Sequence, residues 1–134
     1  MSPINQTKRD LRTSADLSAE DILAILDLSA QMKFAVKHGQ PDPRLAGKTL
    51  AMIFEKPSLR TRCTFEIGMF QLGGHAIYLT PGEIGLGKRE SIYDVAHNLE
   101  RWFDLVMART FAQATVDELA SHARIPVINA LSDF

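Results

Sequence analysis

The sequence has little cysteine and no long apolar run. Its one cysteine, Cys63, can form neither an internal disulfide nor a multi-cysteine metal site, so we expect a reducing compartment. Residues 1–14 are polar and lack the apolar segment of a signal peptide, and no stretch has the apolar length of a membrane span. The sequence therefore predicts a cytoplasmic protein without a membrane partner.

An excess of charge of either sign is also missing. The 15 Lys and Arg residues nearly balance the 16 Asp and Glu residues, which leaves a net charge of -1. Such a balance provides no general surface for nucleic acid or an anionic membrane, so any anion site must be local. A chain of 134 residues with 46% hydrophobic residues is typical of one globular domain, which we expect to span residues 1–134.

Four short apolar runs without alternation lie between segments of helical character. They span residues 48–54, 76–79, 105–108 and 126–129. Unbroken apolar runs of this length are typical of strands that are covered on both faces. The alternation predicts an α/β fold, a four-stranded parallel sheet with helices on both faces, and ligands of such sheets bind at the carboxyl ends of the strands.

Helix starts are indicated by a serine or threonine that is followed three residues later by an acid. This pattern occurs at Ser18, Ser91 and Thr115. After Ser18, apolar residues fall on one helical face at Ile22, Ile25, Leu26, Met32 and Val36. The proline and glycines of residues 80–89 predict a mobile loop without regular structure.

A further helix is predicted after Pro57 and Ser58. Its apolar residues recur at helical spacing: Cys63, Phe65, Ile67, Met69, Phe70 and Leu72. We expect Cys63 to be a small buried residue on the inner face of this helix. Arg62 is expected to pair with Glu66 one turn later.

The most specific pattern for chemistry is Ser58-Leu59-Arg60-Thr61-Arg62 at the start of this helix. Free backbone N–H groups and the positive end of the helix dipole favour an anion at such a position. Arginine adds a planar fork for two phosphate oxygens, and a hydroxyl donates another hydrogen bond. The segment therefore predicts a phosphate site, and it matches neither a Walker loop nor a dinucleotide-binding glycine motif.

The run FEKPSLRTRCTFE, residues 54–66, resembles the Ser-x-Arg-Thr-Arg carbamoyl-phosphate motif of the aspartate and ornithine carbamoyltransferases. The runs LGGHAIYL, GLGKRES, ART and INALSD follow in the order and spacing of that family. The resemblance thus covers nearly the whole chain and points to the family's N-terminal, carbamoyl-phosphate-binding domain. Lys56 directly after Glu55 is similar to the ornithine branch.

The resemblance implies transfer of a carbamoyl group from carbamoyl phosphate to ornithine, without a redox cofactor or a metal. Ser58, Arg60, Thr61 and the backbone of Leu59 would hold the phosphate. Arg109 would polarise the carbonyl, so Arg109 and Arg60 are the expected catalytic residues. Leu59 stands where threonine is the commoner residue of the family.

The resemblance also implies a homotrimer in which a loop reaches the site of the neighbouring subunit. Gly85 falls where relatives supply a serine or glutamine side chain to carbamoyl phosphate. Lys88 and Arg89 are candidates for a phosphate contact between subunits. An alternative interpretation is that these two cations only make the loop more soluble.

In the family, the segment that resembles INALSD precedes a His-Pro-x-Gln motif and a second domain that binds the amino acid. Neither is found in residues 1–134. We therefore expect this chain to be inactive alone and to meet the amino-acid acceptor only with the second domain. Aspartate or acetylornithine remain alternative acceptors, and an inactive module that binds anions or trimerises is the alternative from another functional class.

Overall fold

The computed structural model describes residues 8–133 and contains a four-stranded parallel sheet in the order β2-β1-β3-β4. The strands are β1 (Thr49–Phe54), β2 (His75–Leu79), β3 (Leu105–Arg109) and β4 (Val127–Asn129). The helices are α1 (Ala19–Lys37), α2 (Leu59–Gln71), α3 (Pro81–Ile84), α4 (Ile92–Trp102) and α5 (Gln113–His122). The predicted fold class is confirmed, and each strand end lies within one residue of its prediction.

Strand β1 and the middle of β3 are buried on both faces, as the unbroken apolar runs predicted, whereas the edge strand β2 has no buried residue, so the same prediction is wrong for β2. Every residue of β1 from Leu50 to Phe54 is at most 1% exposed. Ala51 and Ile53 pack with the apolar residues of α4 and α5, whereas Met52 packs on the opposite face with Met69 of α2. Burial of each large apolar side chain is worth about 1.5–3 kcal/mol, so β1 carries the core of the domain.

The face of α2 that packs against the sheet is not the face that contains Cys63. Met69 is its only buried residue and Phe65 packs beside it, whereas Cys63 is exposed and Phe70 is 79% exposed. The prediction of a buried Cys63 is therefore wrong. Residues 63, 67 and 70 have helical spacing as much as residues 65, 69 and 72 do, so periodicity alone could not choose between the two faces.

Helix α1 begins at its Ser18 cap and ends before Gly39, as predicted, but it buries none of its residues. The apolar side chains of its expected inner face are 40–60% exposed: Ile22, Ile25, Leu26 and Val36. None of the helices in residues 8–133 is long and apolar enough to cross a membrane.

Two further predictions are wrong: the absence of regular structure in residues 80–89 and the start of a helix at Thr115. Residues 80–89 contain a short helix, α3. The Thr80 hydroxyl accepts from the Glu83 N–H, the Glu83 carboxylate accepts from the Thr80 N–H, and Pro81 occupies the first helical position. Hydrogen bonds from the backbone N–H and hydroxyl of Thr80 hold the pKa of Glu83 below its usual value. Helix α5 begins at Gln113 with Ala112 as its cap, so Thr115 lies inside the helix.

The polar N-terminal segment pairs with the edge of β4. The Leu11 N–H donates to the Val127 carbonyl at 2.9 Å, and the Asn129 N–H donates to the Leu11 carbonyl at 2.8 Å. Arg12 follows directly, and hydrogen bonds from its backbone N–H and guanidinium lower the pKa of Asp16. This segment thus brings the Arg12 carbonyl to the carboxyl end of the sheet.

Candidate functional site

The candidate site lies where the carboxyl ends of β1 and β3 meet at the centre of the sheet. Phe54 pairs with Arg109, and the Glu55 N–H donates to the Arg109 carbonyl at 2.8 Å. The chain continues from β1 to β2 on one side, whereas β3 lies on the other side. Open α/β sheets bind their ligands at such a reversal of strand order.

Ser58 is the N-terminal cap residue of α2 and lies at this edge. Its hydroxyl oxygen accepts from the Thr61 N–H at 3.4 Å, and its proton is donated to Thr61 Oγ1 at 2.9 Å. The first turn of α2 contains no acidic residue. Its free backbone N–H groups and the positive end of the helix dipole therefore favour an anion.

Arg109, at the end of β3, reaches across to the same turn. Its Nη1 donates to Thr61 Oγ1 at 3.1 Å and to the Ala130 carbonyl at 3.4 Å. Thr61 Oγ1 thus accepts two hydrogen bonds, one from Ser58 and one from Arg109. Since a hydroxyl has two lone pairs and one proton, the Thr61 proton is left for donation to a ligand.

The other residues of the motif have different surroundings. Leu59 is 79% exposed, and the exposed Arg60 side chain makes no hydrogen bond or ion pair with any residue in 8–133. Arg62 contacts Glu66 at 3.4 Å, which confirms the predicted pair, and its guanidinium lies 4.0 Å from the Tyr78 ring centroid. Within residues 8–133 the Arg60 guanidinium is therefore unoccupied, whereas Arg62 contacts its neighbours.

The structure does not bring the predicted loop residues to this turn. Gly85 is buried with φ of 52°, and a β-carbon there would lie 2.7 Å from Arg89 Cβ. Arg89 donates to the Gly82 carbonyl at 3.4 Å, within its own loop. Among the described residues, no hydrogen bond or ion pair joins Gly85, Lys88 or Arg89 to residues 58–61. Their roles therefore stay predictions.

Lys56 has contacts that sequence reasoning missed. Its Nζ lies 2.8 Å from Asp133 Oδ1 and 5.0 Å from the Phe111 ring centroid. It thereby joins the segment after β1 to the segments after β3 and β4. The sequence offered no signal for this, because Asp133 is 77 positions away.

Comparison with known proteins gives a match between residues 9–134 and the sequence model of a protein family. That family is the carbamoyl-phosphate-binding domain of the aspartate/ornithine carbamoyltransferases. The ornithine carbamoyltransferase of Deinococcus radiodurans is 54% identical over 125 residues, which are 93% of this chain and 40% of that protein. The anabolic ornithine carbamoyltransferase of Pyrococcus furiosus is 48% identical over 126 residues, 94% of this chain and 40% of that protein. The chain thus spans about 40% of the length of these curated relatives.

Solved structures agree with the sequence comparisons. The ornithine carbamoyltransferase from Pyrococcus furiosus superposes with a TM-score of 0.93 at 48% identity, covering 96% of this chain and 41% of that one. The catalytic subunit of the M. jannaschii aspartate transcarbamoylase gives a TM-score of 0.83 at 31% identity, covering 92% and 40%. The four-stranded parallel fold is therefore shared with both kinds of carbamoyltransferase.

Because Thr61 and Arg109 share a partly buried hydrogen bond, their contributions to stability should be coupled. In a double-mutant cycle with Thr61→Val and Arg109→Met, we expect a coupling free energy of about 0.5–1.5 kcal/mol from urea unfolding. The matched cycle on the exposed pair Arg62 and Glu66 should give about 0.3–0.5 kcal/mol. Additive effects of the Thr61 and Arg109 substitutions would contradict the shared bond.

Proposed function

The chain belongs to the aspartate/ornithine carbamoyltransferase family, and we propose that it is the carbamoyl-phosphate-binding part of an ornithine carbamoyltransferase. The reaction would convert carbamoyl phosphate and L-ornithine to L-citrulline and phosphate. The observation that carries this proposal is the Thr61 hydroxyl at the start of α2, hydrogen-bonded to Arg109 from the neighbouring strand. That contact supports the proposal, because it joins the guanidinium of Arg109 to the helix start that we propose as the phosphate site.

In this proposal the first turn of α2 holds the phosphate dianion. Ser58 and Thr61 border it, the Leu59 backbone N–H lies in the same turn, and the exposed Arg60 guanidinium supplies a planar fork. The ornithine amine attacks the carbonyl carbon, negative charge develops on the carbonyl oxygen, and phosphate leaves. Arg109 stabilises that oxygen most strongly in the transition state, and holding both groups in place lowers the entropic part of the barrier.

Ornithine is the acceptor that the comparisons favour over aspartate. Relatives named ornithine carbamoyltransferase reach 54% identity, whereas the aspartate transcarbamoylase structure is 31% identical. The acceptor would be bound by a second domain of the kind that the longer relatives contain. One relative's name includes the word anabolic, which supports a place in arginine biosynthesis, and we propose a cytoplasmic location.

A homotrimer forms part of the same proposal, with contacts on the face of α2 that points away from the sheet and on the edge strand β2. Large apolar side chains are exposed there, including Ile67 (53%), Phe70 (79%) and Ile77 (42%). Lys88 and Arg89 are exposed, and Arg89 donates to the Gly82 carbonyl of its own loop. In this proposal both residues contribute to the site of another copy.

Removal of the Arg60 guanidinium should weaken anion binding strongly. We expect Arg60→Ala to reduce the binding free energy of carbamoyl phosphate by about 1.5–3 kcal/mol, the range for a charged hydrogen bond. Isothermal titration calorimetry measures this. Arg62→Ala removes the same charge two residues away and should leave affinity within about two-fold, because Arg62 contacts Glu66 and Tyr78 instead. Equal losses in both variants would contradict a specific site at residues 58–61.

The polypeptide of residues 1–134 should fold but form no citrulline. It contains groups for the phosphate and the carbonyl, whereas the proposed acceptor site lies in the part of the relatives that it does not span. A colorimetric citrulline assay with ornithine and carbamoyl phosphate tests this, with an intact ornithine carbamoyltransferase as positive control. Turnover near that of the intact enzyme would contradict the proposal that the acceptor site lies outside residues 1–134.

In solution the chain should form trimers of about 45 kDa, three times its 14.9 kDa. Light scattering after size-exclusion chromatography measures the mass. The double variant Ile67→Gln and Phe70→Gln should be monomeric, because it places amides in the proposed apolar contact. Phe34→Gln on α1 is the matched control, since Phe34 is also exposed (56%) but lies outside that surface. A monomeric wild-type chain would contradict the proposal.

A further inference from the structure

Asn129, the last residue of β4, connects three segments through its side-chain amide. Its Nδ2 lies 2.9 Å from the Arg12 carbonyl, 3.0 Å from Gln113 Oε1 and 3.1 Å from Ser132 Oγ, and its two protons are shared among these three acceptors. Its Oδ1 accepts from the Leu131 N–H at 2.9 Å. Ser132 Oγ in turn donates to Gln113 Oε1 at 2.6 Å, which closes the network. Only a side chain that both donates and accepts can make this set of bonds.

The turn that Asn129 holds has an unusual backbone. Leu131 has φ of 112°, the one positive value at a non-glycine residue in the described part of the chain. Residues with a side chain adopt such values at a cost, and they persist where surrounding bonds determine the conformation. Besides the bond to Asn129, the Leu131 carbonyl accepts from the Thr110 N–H at 3.2 Å, and the Ala130 N–H donates to the Ala108 carbonyl at 2.9 Å.

The same turn presents the Ala130 carbonyl to Arg109. Nη1 of Arg109 donates to that carbonyl at 3.4 Å and to Thr61 at 3.1 Å, and its buried Nε finds no partner among the described residues. The orientation of the guanidinium therefore depends on two hydrogen bonds, and one of them comes from the turn. A change in that turn would move the acceptor and leave Thr61 as the single remaining bond.

We propose that Asn129 is a positioning residue for Arg109, acting through the strained turn of residues 130–132. Asn129 does not need to touch the ligand, because it fixes the carbonyl against which the guanidinium is oriented. This inference rests on the proposed function in so far as Arg109 contacts the carbonyl group of the ligand. The orientation of Arg109 itself can be measured without any ligand.

The first measurement follows Arg109 in the free chain. With ¹⁵N-arginine labelling, the Nε–H signal of Arg109 is identified by its loss in Arg109→Lys, and its exchange with solvent is measured. Asn129→Asp keeps the acceptor for Leu131 and removes both amide protons, so we expect exchange at least about ten-fold faster. Asn98→Asp, the same change at an exposed asparagine of α4, should leave the rate unchanged.

The second measurement separates positioning from a general structural role. Phosphonoacetamide carries both a phosphonate and an amide carbonyl, whereas inorganic phosphate has no carbonyl. We expect Asn129→Asp to weaken phosphonoacetamide about five-fold and phosphate less than about two-fold. In an Arg109→Ala background, Asn129→Asp should change the phosphonoacetamide affinity less than about two-fold, because its effect passes through Arg109.

The outcomes distinguish this inference from the proposed function. Unchanged exchange of Arg109 in Asn129→Asp, or equal weakening of both ligands in both backgrounds, would overturn the positioning role. Faster exchange in a chain whose wild type binds neither ligand would support the positioning role and refute the proposed function. If Asn129→Asp does not fold, Ser132→Ala removes one member of the network and should raise the exchange rate about three-fold. An unchanged rate there would overturn the inference equally.

Discussion

The parallel pairing of β1 with β3 is the contact on which the rest of the site depends. Its register sets Phe54 opposite Arg109, so the two chain segments leave the sheet side by side. One segment continues into the Ser58 cap of α2, and the other ends in the guanidinium that reaches Thr61. Because β1 is buried on both faces, a shift in this register would expose apolar side chains. The distance between the start of α2, the proposed anion site, and Arg109 is thus determined by the hydrophobic core.

The fold was predictable where the signal was local and the burial two-sided. Each strand is a short apolar run, and such runs indicated their positions to within one residue. The orientation of α2 was not predictable, since Cys63 and Phe65 both belong to apolar sets with helical spacing. Pairing of the polar N-terminal segment with β4 was missed for another reason: a backbone pairing at Leu11 leaves no pattern in side-chain chemistry.

The candidate site also contains residues that could be predicted from the sequence and contacts that could not. The start of α2 could be predicted as an anion site because the hydroxyls and Arg60 lie within four residues of one another. Arg109 was predicted as a site residue from its place at a strand end and from the family resemblance. The contacts of Lys56 and Asn129 could not be found, because they join residues 77 and 117 positions apart. A single sequence does not show which residues that are far apart in the chain are in contact.

The start of α2 is built from neighbouring residues, whereas the surroundings of Arg109 are built from residues far apart in the sequence. The two parts of the candidate site should therefore differ in local stability. The turn proposed to bind the anion is made by consecutive residues and stays formed as long as α2 is capped by Ser58. Arg109 depends additionally on β4, the shortest strand, and on a turn that Asn129 ties to the Arg12 carbonyl. Local opening at a sheet edge requires less free energy than global unfolding. If Arg109 polarises the carbonyl as proposed, opening of the β4 edge would therefore disturb that polarisation while the phosphate remained bound, which would separate the chemical step from binding within one small domain.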